Sequence, residues 1–272
     1  MNEVSNSISA YSIDTSGVLA SIDANGNTTA YEPTIRAGDI PVAIAIDPAG
    51  SYAYVANANS GSASSICGIS TTNNGCITVF AINKTTGALT PTNATGTGGS
   101  NISTGNGPTS IVIDPSGKFV YVTNLNDDTV SDYAINSADG TLLALSQSPY
   151  PTGGGTGPSS ITIYPDGTFA YVTDSATGKV ATYPRDTTTG VLGTPTTLST
   201  GATGTTAPNS ISIDSSGHYA YVANSGTNSI SVFSISGGAL SKVACPGGPS
   251  PTCTANSNFT TGAGPVAVIT AP

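Results

Sequence analysis

Apolar residues in this chain fall in short runs, and within several runs they alternate with small polar residues. Ser229–Ile235 reads SISVFSI, and Ser160–Ile163 reads SITI. A period of two puts one side-chain set on each face of an extended strand. No stretch sustains the 3.6-residue period of an amphipathic helix. The runs are punctuated by DPAG, DPSG, YPDG and DSSG. In such turns Pro presets φ and Gly accepts a positive φ. The pattern predicts an all-β protein built from many short strands.

The runs also repeat. Five segments open with Pro: PVAIAIDPAG from Pro41, PTSIVIDPSG from Pro108, PSSITIYPDG from Pro158, PNSISIDSSG from Pro208 and PVAVITAP from Pro265. The two regular intervals are 50 residues, from 108 to 158 and from 158 to 208. The two longer units carry cysteine-bearing inserts, as expected where insertions land in loops. Each unit reads as four strands. Strand A follows the Pro. Strand B is KFVYVTN (Lys118–Asn124) or its copies SYAYVAN, TFAYVTD and HYAYVAN. Strand C is the NSISVFSI type: Cys76–Ile82, Thr129–Ile135 and Ser229–Ile235. Strand D follows a Gly-containing turn, as at Ala239–Ala244. Four antiparallel strands in about 50 residues is the pattern of a β-propeller blade, which needs neighbours to bury both its faces.

YVTN followed by a strand like ISVF, and preceded by P-x-x-I-x-I-D-P-x-G, resembles the YVTN β-propeller repeats. Such repeats occur in lactonase-like seven-bladed propellers and in bacterial and archaeal surface-layer proteins. The resemblance covers almost the whole chain. It implies a single propeller domain over residues 1–272, with units starting near 41, 108, 158 and 208.

The ends read as halves of one further unit. NEVSNSISAYSI (Asn2–Ile13) matches NSGTNSISVFSI (Asn224–Ile235), and PVAVITAP matches PVAIAIDP. The expected architecture is four complete blades plus one split and incomplete blade, made of 265–272 and 1–40. Its strand B is not written. Three readings stay open. The chain is a piece of a longer propeller, or a five-bladed ring with an incomplete blade. Otherwise a neighbouring molecule's strand completes the blade by β-augmentation, giving a homo-oligomer.

Composition narrows the partners. The net charge is −9 with only six Lys and Arg, so no cluster of cations is available for nucleic acid. No apolar run is long enough for membrane insertion as a helix, and no signal peptide is legible in MNEVSNSISAYS. Four cysteines form two local pairs, Cys67–Cys76 and Cys245–Cys253, without CxxC spacing. They read as disulfides worth roughly 2–3 kcal/mol each. That predicts a secreted, extracellular or cell-surface protein. Sequons stand at Asn27, Asn83, Asn93, Asn101 and Asn258.

Candidate chemistry is sparse. His218, the only histidine, occupies the variable position between a turn Gly and strand B, where Ser51, Lys118 and Thr168 stand in other units. Asp47, Asp114 and Asp214 share one repeat position, with Tyr164 in the fourth copy, and read as turn caps. Asn57, Asn124, Asp174 and Asn224 end strand B and are expected to form Asx-turns. In the loop NLNDDTVSD, Asn124, Asn126, Asp128 and Asp132 have a Ca²⁺-like oxygen spacing, but Thr129 and Ile135 break the EF-hand pattern, so no metal is expected. No cofactor is expected either.

Lactonase-like relatives use Arg, His and Glu in a cleft. Here only Arg36, Arg185, Glu3 and Glu32 are available, and alternating strand direction predicts the two arginines on opposite faces. Loops carry function on a rigid scaffold. Binding is therefore expected at the face of the B–C and D–A loops, with Arg36, Asp39, Asn126, Asp127, Asp128 and Asp132 as candidates. The leading expectation is a structural or binding module that recognises protein or glycan. The alternative is a lactonase-like hydrolase acting on a sugar lactone.

Overall fold

The structure, a computed structural model, describes residues 1–23, 34–58, 74–92, 102–152, 157–200, 208–244 and 258–270. All extended structure is antiparallel. Four sheets each contain a four-strand meander. The first runs Pro41–Ile46, Tyr52–Asn57, Asn74–Ile82, Leu89–Pro91. The second runs Pro108–Ile113, Phe119–Asn124, Thr129–Ile135, Leu142–Ala144. The third runs Pro158–Ile163, Phe169–Asp174, Lys179–Pro184, Thr196–Ser199. The fourth runs Pro208–Ile213, Tyr219–Asn224, Ser229–Ser236, Ala239–Lys242. The N-terminal segment supplies two smaller ribbons, Ser7–Ser9 with Thr34–Arg36 and Tyr11–Ile13 with Leu19–Ser21. The chain divides into two compact units. One comprises Met1–Val122 with Tyr133–Ala144, and the other Thr123–Asp132 with Leu145–Pro272.

Strand B is the core. All six residues of Phe119–Asn124 are buried, so both faces of the strand are covered. Tyr54, Tyr121 and Tyr171 are fully enclosed at equivalent positions. Each such side chain contributes about 1.5–3 kcal/mol through burial. The Tyr171 hydroxyl donates to Gly238 O at 2.9 Å, reaching the C–D turn of the next sheet. That turn must approach closely. Gly238 has φ +81°, and a Cβ there would collide with the Phe169 ring. Gly140, φ +73°, stands in the same relation to Tyr52.

Strand C carries a feature that the repeat pattern does not predict. Its second half pairs with strand D, and its first half pairs with a fifth, shorter strand. Tyr133 faces Ala144, whereas Val130 faces Tyr150. Ile235 faces Leu240, whereas Ile230 faces Phe259. Ile77 faces Ile102 and Ile8 faces Ile35 in the same manner. Strands of two to five residues are too short to leave a period in the sequence.

Polar side chains fix the turns. The Asp114 carboxylate accepts from the amides of Lys118 and Phe119 at 2.8 Å, and Asp47 and Asp214 cap their turns likewise. At the end of strand B an Asx-turn forms at Asp174, which accepts from the Ala176 and Thr177 amides, whereas the side-chain oxygens of Asn57 and Asn224 take no such bond. Asn57, Asn124 and Asn224 instead send their amide nitrogens across to strand C. Asn224 reaches Ser231 Oγ at 2.9 Å, Asn124 reaches Ser131 Oγ at 2.9 Å, and Asn57 reaches Thr78 Oγ1 at 3.0 Å. Asn2 makes the same bonds to Ser7 and Ser9, so it occupies a strand-B end.

A second device recurs in the B–C turn. Asn6, Asp128 and Asn228 adopt φ near +50°, and Gly178 stands at the corresponding place. Their side-chain oxygens accept from Ile40, Gly157 and Gly264 at 2.8, 2.8 and 2.7 Å. Each donor immediately precedes a repeat-opening Pro, Pro41, Pro158 or Pro265, and the first two of these open a strand A. The turn thereby clasps the chain as it enters the next sheet. Donors of this kind need a positive φ, which Gly107, Gly157 and Gly264 accept freely, but Ile40 is held at +54°. A β-branched residue there is strained by about 1–3 kcal/mol.

Adjacent A strands are joined through serine. Ser159 Oγ donates to Pro208 O. The terminal PVAVITAP, expected as a strand A, is not extended into a ladder. It lies along Pro208–Ile213, with the Val268 and Thr270 amides donating to Ser210 and Ser212 Oγ at 3.2 Å. Flanks here are open: Val266 and Ile269 are exposed. In the other unit Ile44 is 38% exposed, whereas its counterparts Ile111, Ile161 and Ile211 are buried.

Two outcomes follow for stability. Gly238→Ala is expected to lower unfolding free energy by about 1–3 kcal/mol in urea titration, because the ring of Phe169 must move. Ile40→Gly is expected to raise it by about 1 kcal/mol by relieving the positive φ; an unchanged or lower midpoint would count against strain at Ile40.

Candidate functional site

The B–C and D–A loop end is best described within the first unit. Thr34–Arg36 pairs with Ser7–Ser9, placing Arg36 opposite Ser7 with its side chain exposed. Three residues on, Asp39 is buried, and its Oδ1 accepts from Asn6 Nδ2 at 3.4 Å. Gly38 packs so tightly on Asn57 that a Cβ would overlap that side chain. Arg36 and Asp39 are thus carried on a short, tethered segment that ends in the strained Ile40. An exposed guanidinium carried on such a segment can hold a carbonyl or carboxylate oxygen.

The second unit carries the acidic loop. Asn126 and Asp127 are exposed at its tip, and Asp128 is spent on the clasp to Gly157. Asn124 and Asp132 lie inside the sheet, both fully buried. The oxygen spacing read from NLNDDTVSD is therefore spread over a strand end, a loop and a buried strand face. Among the described residues no group of three or more His, Cys, Asp or Glu side chains is placed to hold a metal ion.

His218 sits in an A–B turn, as expected. Its Nδ1 is 2.7 Å from Ser216 Oγ, and Ser216 in turn bonds to Asp214. The three residue types of a hydrolytic triad are present, but the serine stands in the middle, bonded to the carboxylate. A triad needs the imidazole between the hydroxyl and the acid. This chain is a turn network. Burial pushes the Asp214 carboxyl up, but bonds from Ser216, Tyr219 and His218 outweigh it and hold the carboxyl below its ordinary range.

Arg185 is buried at the C–D turn, with its Nη1 donating to Gly167 O at 2.8 Å. It braces the turns of its own sheet. Lys242 Nζ donates to Thr200 O at 2.6 Å, and burial lowers its pKa. Cys76 is fully buried in Asn74–Ile82. Cys67, Cys245 and Cys253, the sequons at Asn27, Asn93 and Asn101, and Glu32 lie outside the described residues.

Sequence reasoning named Asp132 as a loop-face candidate but missed its partner Tyr150 and their burial together. Strand pairing brings Tyr150 opposite Val130, two residues from Asp132. The available signal was an acid at a strand-C position that is Val79 in one unit and Val232 in another.

Comparison with known proteins agrees with this architecture. The family described as "Lactonase, 7-bladed beta-propeller" matches residues 1–151 and again 73–245. No curated protein matches the chain. Among solved structures, a candidate 6-phosphogluconolactonase from Bacteroides fragilis superposes with TM-score 0.66 at 21% identity, covering 96% of this chain and 67% of that one. The periplasmic gluconolactonase PpgL of Pseudomonas aeruginosa gives TM-score 0.61 at 18% identity, covering 89% and 65%. A functionally unknown protein from Desulfotomaculum acetoxidans gives 0.56 at 19%, covering 79% and 58%. The chain thus spans about two-thirds or less of the length of these structures, and at such identities they speak to fold alone. With four antiparallel four-strand meanders and a family match across most of its length, the chain belongs to the lactonase family of β-propellers.

Proposed function

We propose that this chain forms part of a propeller that hydrolyses a sugar-derived lactone at the end bearing the B–C and D–A loops. The observation that carries this reading is the lactonase family match over residues 1–151 and 73–245. It favours the hydrolase over a module that only recognises protein or glycan. Ring opening of a lactone needs stabilisation of the carbonyl oxygen as negative charge develops, and activation of a water. Arg36 supplies the exposed cation for the first task. His218 is engaged with Ser216 in an A–B turn and has no part in the second.

A second reading, assembly by strand addition, draws on the open edge. Tyr11, Ile13, Val18 and Leu19 are all more than half exposed on the Tyr11–Ile13/Leu19–Ser21 ribbon. An apolar two-stranded ribbon is a template for a further strand. The cysteine pairs Cys67–Cys76 and Cys245–Cys253 support a secreted or cell-surface setting.

The hydrolase reading predicts proton release from an aldonolactone above the spontaneous rate, falling by about 10²-fold in Arg36→Ala. A rate equal to the uncatalysed one would overturn it. The assembly reading predicts a concentration-dependent mass above that of one chain in light scattering; a folded monomer at every concentration would overturn it.

A further inference from the structure

The outer layer of the second unit contains one polar substitution made in two places at once. In the other sheets the positions concerned are uncharged, and apolar in all but Thr182 of the third sheet. Where this sheet has Asp132, the others have Val79, Thr182 and Val232. Where it has Tyr150, the others have Ile35, Ile102, Leu198 and Phe259. Asp132 is 0% exposed, and neither carboxyl oxygen has a hydrogen-bond partner of good geometry. The Tyr150 hydroxyl is buried in the same condition.

The groups facing Asp132 are few. Ser148 and Tyr150 approach it from the segment that follows strand D, and the Ser148 hydroxyl takes the Asp132 amide at 2.9 Å. Tyr150 also approaches the backbone of Leu192 from the third sheet. Among the described residues no charged side chain contributes to its setting. Burial pushes the acid up, and the nearby Ser148 and Tyr150 hydroxyls only partly offset this. Burial likewise pushes the Tyr150 phenol up to about 12, leaving it neutral in any ordinary buffer.

Behind Tyr150 is a cavity of about 500 Å³, lined by Tyr150, Tyr183, Leu192, Pro149, Pro151 and Pro195 among others. The Tyr150–Pro151 strand forms part of its wall. That strand has two ladder pairs, Thr129 with Pro151 and Val130 with Tyr150, flanked by the Thr152 amide donating to Asp128 O at 3.0 Å and by Tyr183 donating to Pro151 O at 2.9 Å.

We propose that Asp132 and Tyr150 form an acid-locked latch, in which the neutral carboxyl lets the Tyr150–Pro151 strand dock and its ionisation loosens that strand and widens the cleft beside it. An unpaired carboxylate cannot remain in an apolar layer without a cost comparable to local opening. The strand with the fewest pairs gives way first.

The linkage has a definite sign. A carboxyl whose folded pKa lies above its unfolded value keeps its proton in the native state after the unfolded chain has lost it. Stability is therefore highest below the unfolded pKa, near 4, and declines as pH rises through the folded one.

The test compares the parent chain with Asp132→Asn and Asp132→Val, the latter restoring the residue found at 79 and 232. Melting temperature is measured from pH 4 to pH 8, with hydrogen exchange of residues 145–152 corrected for intrinsic rate. The parent is expected to melt about 2–4 °C below the valine variant at pH 8, with the gap closing toward pH 4. Protection of 145–152 is expected to drop about tenfold across that range in the parent and to stay constant in both variants. Parallel melting curves, or a segment equally protected at both pH values, would overturn the latch. The asparagine variant keeps the shape without the charge, so it separates ionisation from packing.

Discussion

Everything in this fold depends on strand B being covered on both faces. A strand buried from Phe119 to Asn124 has no solvent side. It cannot exist in an isolated meander, because one of its faces would then be wet. Each sheet is therefore stable only against a neighbour, and the neighbour's turn must come close enough to seal it. Gly238 against Phe169, with the Tyr171 hydroxyl reaching Gly238 O, is that seal in its barest form. The polar devices at the two ends of the strand serve the same constraint. Asp114 and its equivalents shape the entry, and Asn224 and its equivalents tie the exit to strand C.

Much of this was legible because the chain states it several times. The Pro-led strand, the Asp-opened turn and the YVTN strand each recur, and recurrence turns a weak local signal into a firm assignment. The fifth strand was invisible for the opposite reason. Tyr150–Pro151 and Asn258–Thr260 are held in place by pairing with strand C, and nothing in two or three residues announces this. The cross-strand role of the strand-B asparagine was not legible, because an Asn at a strand end suggests a local turn. Its amide instead finds hydroxyls at alternate positions of strand C, a choice made by tertiary structure. Candidate loop residues fared similarly. Asp128 looked like a ligand and is a clasp; Asp132 looked like a loop acid and is a core residue.

The same repetition explains why function is hard to read. Residues that recur in every unit serve the repeat itself, so any site must come from departures. Arg36, Ile40 and the Asp132–Tyr150 pair are such departures, each differing from its counterparts in the other sheets. Arg36 and Ile40 share one tethered segment with buried Asp39, and strain beside an exposed cation is the arrangement expected where geometry matters more than stability. The serine bridges between adjacent A strands are the contrasting case. Ser159, Ser210 and Ser212 bridge neighbouring backbones.

The clasp in the B–C turn has a bearing on how the molecule ages. At Asn228 it is the side-chain oxygen that accepts the Gly264 amide, and at Asp128 a carboxylate oxygen makes the equivalent bond. Hydrolysis of the Asn228 amide to a carboxylate would leave the acceptor in place. The strand-B asparagines have no such tolerance, because Asn124 and Asn224 work through their NH₂ groups, and a carboxylate has nothing to donate. Those side chains are also the buried ones, shielded from the water that the reaction consumes. Chemical wear therefore falls where the fold can absorb it.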